Sequence, residues 1–432
     1  MFNKILNSWE NRAQQEANYV HWLGASEQES TPLIRYQNHR FKSLVSYAKR
    51  FSAFYNQSLP TIDNVSDISK LDTISRRTIR NRLDDLTVHG LPEYMYRNKF
   101  GTSGSTGEPI HFYCPAFGGP FKDIEERYIY HKLWRVLLSN STSLEQVMKL
   151  VRIVEPSAQR YFDNPARLQV KPEDILLNAI DTVEKVVQFR PHVFACHASF
   201  TLAFCEALNK TPHKNTLHVS KIISTGELLL SEQRIFIENS LSGKVISRYG
   251  LEEFYWAVAC EDTPYNNGLL SYGESYIIEI LNEDGYSVEP GEFGEVTITD
   301  LNNYTMPLIR YRTGDIAKLI AHEGARTRFS LLGRQTKLLY GDKEVNYFTI
   351  NNIFSQLAAA IIQYQFVKET SNRLTIMIVR NYLFRPDLET ILLARVRSIL
   401  GEQVAIEIKY VEKINRTKSG KTIVFVDRTT ES

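Results

Sequence analysis

The 432-residue sequence has little cysteine, almost no net charge and no long apolar run. Its four cysteines, Cys114, Cys196, Cys205 and Cys260, stand far apart, with no CxxC pair. That excludes a disulfide-stapled scaffold and the common zinc spacings, so no structural zinc is expected. Reduced, buried thiols are. The 51 Lys and Arg against 49 Asp and Glu leave a net charge of +2, spread without basic blocks. A broad nucleic-acid footprint is therefore not expected. No segment approaches the ~18 apolar residues of a membrane span. The stretch MFNKILNSWENRAQQ turns polar within a few residues and offers no small-residue cleavage site. It does not read as a secretory leader, and the cytoplasm is the default expectation. Internal repeats and low-complexity tracts are also missing.

What is present begins with FGTSGSTGEP at 100–109, where glycines and hydroxyl side chains crowd into one loop. Gly101, Gly104 and Gly107 permit positive φ and close backbone approach. Successive N–H groups in such a turn make a concavity suited to phosphate. The plainer reading is a solvent-facing Gly/Ser loop. A nucleoside-triphosphatase P-loop is excluded, because Gly107-Glu108-Pro109 lacks the closing Gly-Lys-Ser/Thr.

Periodicity gives the architecture. Residues 1 to about 95 read as amphipathic helix, and 121–140 as a helix burying Ile124, Tyr128, Leu133 and Trp134. Strand-like HVFACHASF and KVISRY alternate with helical EQRIFIENSL, which argues for an α/β core. Cys196-His197 reads as core packing, since neighbours on a strand face opposite ways. From 255 to 332, ESYIIEIL, GEVTITDL and FSLLGR mark a smaller β-rich subdomain. The last hundred residues look self-contained and α+β. A helix is expected over 349–360, a strand at LTIMIV, and a helix at DLETILLARVRSIL with Leu388, Ile391, Leu392, Val396 and Ile399 inward. In VAIEIKYV, Val404, Ile406, Ile408 and Tyr410 share one face.

Further short stretches follow the opening loop: STGE at 224–227, YGLEE at 249–253, YRTGD at 311–315, LLGR at 331–334 and NRTKSGK ending at Lys421. Each is weak alone. In this order the chain resembles the adenylate-forming ligase superfamily, in particular its phenylacetate–coenzyme A ligase-like branch, from about residue 70 onward. The resemblance implies an α/β fold with a large N-terminal ATP- and acid-binding domain of distorted sheets over 1–332, including the β-rich 255–332. It implies a hinge at 333–336 and a small mobile α+β domain over 337–432.

It also implies the chemistry. A carboxylic acid would be activated by ATP to an acyl-adenylate, releasing pyrophosphate, and the acyl group passed on. Thr102, Ser103, Gly104, Ser105, Thr106 and Gly107 would wrap the outer phosphates. Gly226 and Glu227 would line the adenine site, with Tyr249 stacked on the base and Gly250 beside it. Glu253 would hold Mg²⁺, for which a hard oxygen ligand is apt. Asp315 would accept both ribose hydroxyls, as a carboxylate can. Arg334 would make a second ribose or phosphate contact. Lys421 would neutralise charge at the α-phosphate, where a compact ammonium on a flexible stem suits the task. By composition alone, YGLEE, TGD and the Lys421 segment also fit ordinary turns and a solvated basic loop.

Some positions depart from the family's pattern. Glu252 stands where a hydroxyl is usual, Thr336 at the hinge, and Asn415 where a proline precedes Arg416. Asp342, Lys343 and Glu344 are bulkier than the small residues that let a pantetheine arm pass. Coenzyme A is the expected co-substrate. An acyl carrier protein or an amine is the alternative acceptor, and a degenerate nucleotide-binding protein without turnover is a second alternative. Homodimerisation is left open.

Overall fold

The computed structural model describes residues 30–56, 59–91, 98–101, 110–114, 150–153, 167–254, 257–261, 268–354, 357–415 and 422–430. The helix expected over 121–140 lies outside them. Contacts divide the chain into two units, one of residues 1–102, 109–142 and 250–331, the other of 103–108, 143–249 and 332–432.

In the first unit the helix Ser30–Phe51 buries Leu33, Phe41, Leu44, Val45 and Ala48 along one side. Two polar side chains then fix it. Gln37 donates from Nε2 to the carbonyls of Gly273 and Ala325, both at 2.9 Å. Arg40 donates from Nη2 to Leu301 O at 3.1 Å and Asn302 Oδ1 at 2.7 Å. The helix Arg76–Leu86 starts at a capping box. Ser75 Oγ accepts the Thr78 N–H, and Thr78 Oγ1 accepts the Ser75 N–H. The expected helical N-terminal region is thus borne out where it is described.

The β-rich reading of 255–332 holds. Strands follow one another in space as 276–281, 293–300, 311–323, 326–334, 269–271 and 257–260. Side chains such as Ile278, Ile280, Val296, Ile298, Leu319 and Phe329 are buried. A separate antiparallel pair joins Asn98–Gly101 to His111–Cys114, with Gly101 opposite His111. That register brackets the TSGSTGEP loop at its base, although residues 102–109 themselves lie outside the description.

The second unit contains a parallel sheet in the order 167–170, 150–153, 193–196, 221–225, 244–250. Its strands alternate with the helices Ala179–Phe189, Ala198–Asn209 and Ser231–Leu241. Phe194, Phe204, Cys205, Ile222, Ile237 and Val245 pack between them. The C-terminal part adds a mixed four-stranded sheet, 405–410, 373–380, 361–370, 425–427. The helix Pro386–Leu400 covers it with Leu388, Leu392, Val396 and Leu400. Ile391 is instead exposed, because the stripe runs at intervals of four and Ile391 falls on its edge. The helix expected over 349–360 divides into Tyr347–Phe354 and a short 3₁₀ turn, Ala358–Ala360.

Candidate active site

The second unit presents three chain reversals at the carboxyl ends of its parallel strands, the edge at which such sheets bind ligands. Parallel register sets Cys196 opposite Ser224 and Thr225 opposite Arg248. The STGE turn, the start of the helix Ala198–Asn209 and Tyr249 therefore issue from one edge. Cys196 belongs to the hydrophobic core, and the His197 ring stacks on Phe200 with centroids 6.2 Å apart. Cys196 is thus a packing residue, as its place on the strand predicts. Gly226 has φ +78°, and a Cβ there would stand 2.6 Å from His197 Nε2. Both the backbone angle and the imbedded imidazole demand glycine.

Glu227 spans two elements. Its Oε2 accepts the Ser199 N–H at 3.0 Å and the Ser199 hydroxyl at 2.6 Å. A carboxylate at a helix N-terminus is favoured by the exposed N–H groups and the dipole. Its Oε1 faces the Thr422 N–H at 3.5 Å. Thr422 follows Lys421, which itself lies outside the described residues. Tyr249, near the end of the strand Lys244–Gly250, is 7% exposed.

The first unit assembles the acids. Gly250 leads into a 3₁₀ turn, Glu252–Phe254, in which Glu253 is buried at 3% exposure. Its Oε1 accepts the Tyr311 hydroxyl at 3.0 Å. Glu252 is only partly buried. Tyr311 opens the strand that also carries Asp315, itself 5% exposed. YGLEE and YRTGD, separate in sequence, are thus in direct contact. Beneath them Arg310 donates from Nε and Nη2 to Glu279, at 3.1 and 3.0 Å, and to the carbonyls of Leu71 and Gly285. Burial pushes the Glu279 carboxyl above its ordinary range, against the pull of Arg310. Among the described residues no group of three or more His, Cys, Asp and Glu could hold a metal. A single carboxylate still fits Mg²⁺, which keeps several waters and takes the rest of its shell from substrate phosphates.

Arg334 ends the strand Arg326–Arg334 and is partly buried. Beyond it, residues 337–340 and 343–346 form a tight hairpin rather than an open loop. Of the charged side chains at its tip, Glu344 has partners within the hairpin. Glu344 pairs with Lys337 at 2.5 Å and accepts from Asn346 Nδ2 at 2.6 Å. The Lys337 ammonium holds the Glu344 carboxyl below its ordinary range. Lys343 Nζ lies 2.7 Å from where a Cβ on Gly401 would stand, at the C-terminal end of the helix Pro386–Leu400. Ser199, Tyr311 and Glu227's second contact were not read from the sequence. Only Tyr311 carried a signal, as the first residue of YRTGD.

Structural comparison overlays 2-hydroxyisobutyryl-CoA ligase, crystallised in the postadenylation state with R3-HIB-AMP, at a TM-score of 0.70. The two are 16% identical, and the match covers 94% of this chain and 91% of that one. The chain has the fold of the adenylate-forming ligases. In sequence it is 27% identical over 143 residues to a phenylacetate-coenzyme A ligase of Pseudomonas putida, a stretch that spans 32% of that protein. It is 19% identical to Protein CapK of Staphylococcus aureus over 424 residues, 91% of this chain and 89% of that protein. Residues 340–427 match the family described as the CapK C-terminal domain. The resemblance to phenylacetate–coenzyme A ligases drawn from short motifs is therefore borne out, and so is the expected α/β ligase fold. No described helix is long and apolar enough to cross a membrane.

Proposed function

We propose that the chain activates a carboxylic acid with ATP, forming an acyl-adenylate and pyrophosphate, and passes the acyl group to the thiol of coenzyme A. The contact between Tyr311 and the buried Glu253 carries this reading. It couples the acid of YGLEE to the strand bearing Asp315, so one rigid scaffold would serve both phosphate and ribose. Burying two carboxylates is costly unless a partner rewards it.

In this reading carboxylate oxygen attacks the α-phosphorus and the bond to pyrophosphate breaks. Catalysis is mainly positioning and charge stabilisation. Asp315 accepts the ribose hydroxyls. Tyr249 packs on adenine, with Gly226, Glu227 and Gly250 around it. Thr102 to Gly107 close over the outer phosphates, between ends that the pairing of Gly101 with His111 holds together. Arg334 adds a contact at the start of the 333–336 hinge. Glu253 would hold Mg²⁺, whose charge offsets that of the phosphates. Lys421 would approach the α-phosphate during adenylation and withdraw with the 337–432 domain afterward. Cytoplasmic residence belongs to the same proposal.

ATP–pyrophosphate exchange across a panel of carboxylic acids tests the first half. At least one acid should support exchange, and Lys421→Ala should abolish most of it while ATP still binds. Absence of exchange with every acid, in protein that binds ATP, would favour a degenerate nucleotide-binding protein.

A further inference from the structure

The strand that carries Asp315 departs from regular pairing just where Asp315 lies. Glu295 stands opposite Ile316, and Thr297 opposite Arg312. Three residues, Thr313, Gly314 and Asp315, therefore face the single residue Val296. Such a bulge leaves backbone groups without ladder partners and re-aims the side chain it carries. Gly314 has φ +77°, which a bulge residue in the left-handed region demands.

Two side chains take up what the bulge releases. Glu295 Oε1 accepts the Gly314 N–H at 2.8 Å. Thr313 Oγ1 accepts the Asp315 N–H at 3.1 Å while donating to Val296 O at 2.8 Å. The other oxygen of Glu295 accepts from Arg312 Nε at 2.7 Å, and both partners of that ion pair are largely buried. One carboxylate thus grips the residues on both sides of Thr313. A charged acceptor on a backbone N–H is among the stronger hydrogen bonds.

We propose that Glu295 is the positioning residue for Asp315: it fixes the Thr313–Gly314–Asp315 bulge and so sets the carboxylate that reads the ribose diol. This rests on the proposed role of Asp315. Glu295 itself touches no substrate. Its removal would let the bulge relax toward ordinary pairing and turn the Asp315 side chain away.

The readout is discrimination between ATP and 2′-deoxy-ATP in the exchange reaction, which a merely structural role would not move. The wild type should prefer ATP, and Asp315→Ala should lose that preference. Glu295→Ala should lose about tenfold of it, chiefly through KM, since a charged hydrogen bond is at stake. Glu295→Gln should recover part, because its amide oxygen can still accept the Gly314 N–H. Should Glu295→Ala fold poorly, Glu295→Gln and Thr313→Val supply the comparison, each expected to lower the ratio when measured below its own thermal midpoint, where the protein is folded. Wild-type discrimination in folded Glu295 variants, with Asp315→Ala impaired, overturns the positioning role alone. Wild-type discrimination in Asp315→Ala overturns the ribose reading, and the positioning role with it.

Discussion

Tyr311 donates its hydroxyl to the Glu253 carboxylate at 3.0 Å, and both side chains are buried. A buried carboxylate needs such donors, because desolvation penalises its charge. The same ring packs near Phe254, which in turn accepts through its carbonyl from Tyr276 at 3.1 Å. The 3₁₀ turn and the YRTGD strand are therefore one packed body, and a change at either motif should be felt at the other.

Tyr311→Phe keeps the ring and deletes the donor. Leaving one buried acceptor less satisfied costs about 1–3 kcal/mol. We expect that loss in urea unfolding of the nucleotide-free protein, and a smaller deficit when Mg²⁺ and ATP are added. An identical deficit with and without them would detach Glu253 from the nucleotide.

Asp315→Ala should preserve the fold, since the bulge N–H groups are held by Glu295 and Thr313 rather than by Asp315. ATP affinity should fall about tenfold or more, the worth of a charged hydrogen bond of roughly 1.5–3 kcal/mol. Calorimetry with ATP decides. Unchanged affinity returns Asp315 to an ordinary turn residue.

Arg310→Met strands the Glu279 carboxylate in the core. Breaking a buried pair from one side costs about 3–5 kcal/mol. Burial already raises the Glu279 carboxyl, and removing the cation raises it further. The folded variant then binds a proton that the unfolded chain releases. Stability of the variant should therefore rise as pH falls from its raised folded value toward the ordinary carboxylate range, narrowing the gap to wild type. A gap constant over that range would mean that Glu279 finds another partner.

Three buried cysteines should resist alkylation. Cys196, Cys205 and Cys260 are buried, and burial pushes the Cys205 thiol far up. The thiolate is the reactive form. In native protein at pH 8, iodoacetamide should spare all three while denatured protein is labelled. Rapid native labelling of Cys205 would contradict the packing around it.

Much of this was legible from residue patterns, and the remainder was not for identifiable reasons. Strands such as 276–281 and 293–300 show short apolar or β-branched runs bounded by turn residues that act locally. Leu388, Leu392 and Val396 reveal a helix face through spacing alone. Asp315 stood out through the family resemblance of YRTGD, since Thr-Gly-Asp alone also fits an ordinary turn. Glu295 did not, since its role depends on cross-strand register with residues nearly twenty positions later. Ser199 and Glu227 likewise meet only when two parallel strands are aligned. The bulk of Asp342, Lys343 and Glu344 was legible, but not the direction of their side chains, which the 337–346 hairpin sets.

That hairpin bears on the acceptor. Asp342, Lys343 and Glu344 looked too large to let a pantetheine arm pass. Yet Glu344 is held by Lys337 and Asn346, and Lys343 lies at the carboxyl end of the helix Pro386–Leu400. A cation there is stabilised by the helix dipole by about 0.3–1 kcal/mol. Glu344 is then held in place, and Lys343 beside the helix end need not obstruct the arm. Lys343→Ala should lower stability by about that amount. Neither it nor Glu344→Ala should change coenzyme A thioester formation by more than roughly twofold, the usual range of a surface substitution. The measurement is thioester yield by mass spectrometry, with ATP, an acid that supports exchange, and coenzyme A. A large rise in thioester on removing either charge would show that the hairpin bars the arm, and would turn the reading toward a carrier-protein or amine acceptor. Exchange without thioester in every variant would do the same while leaving adenylation intact.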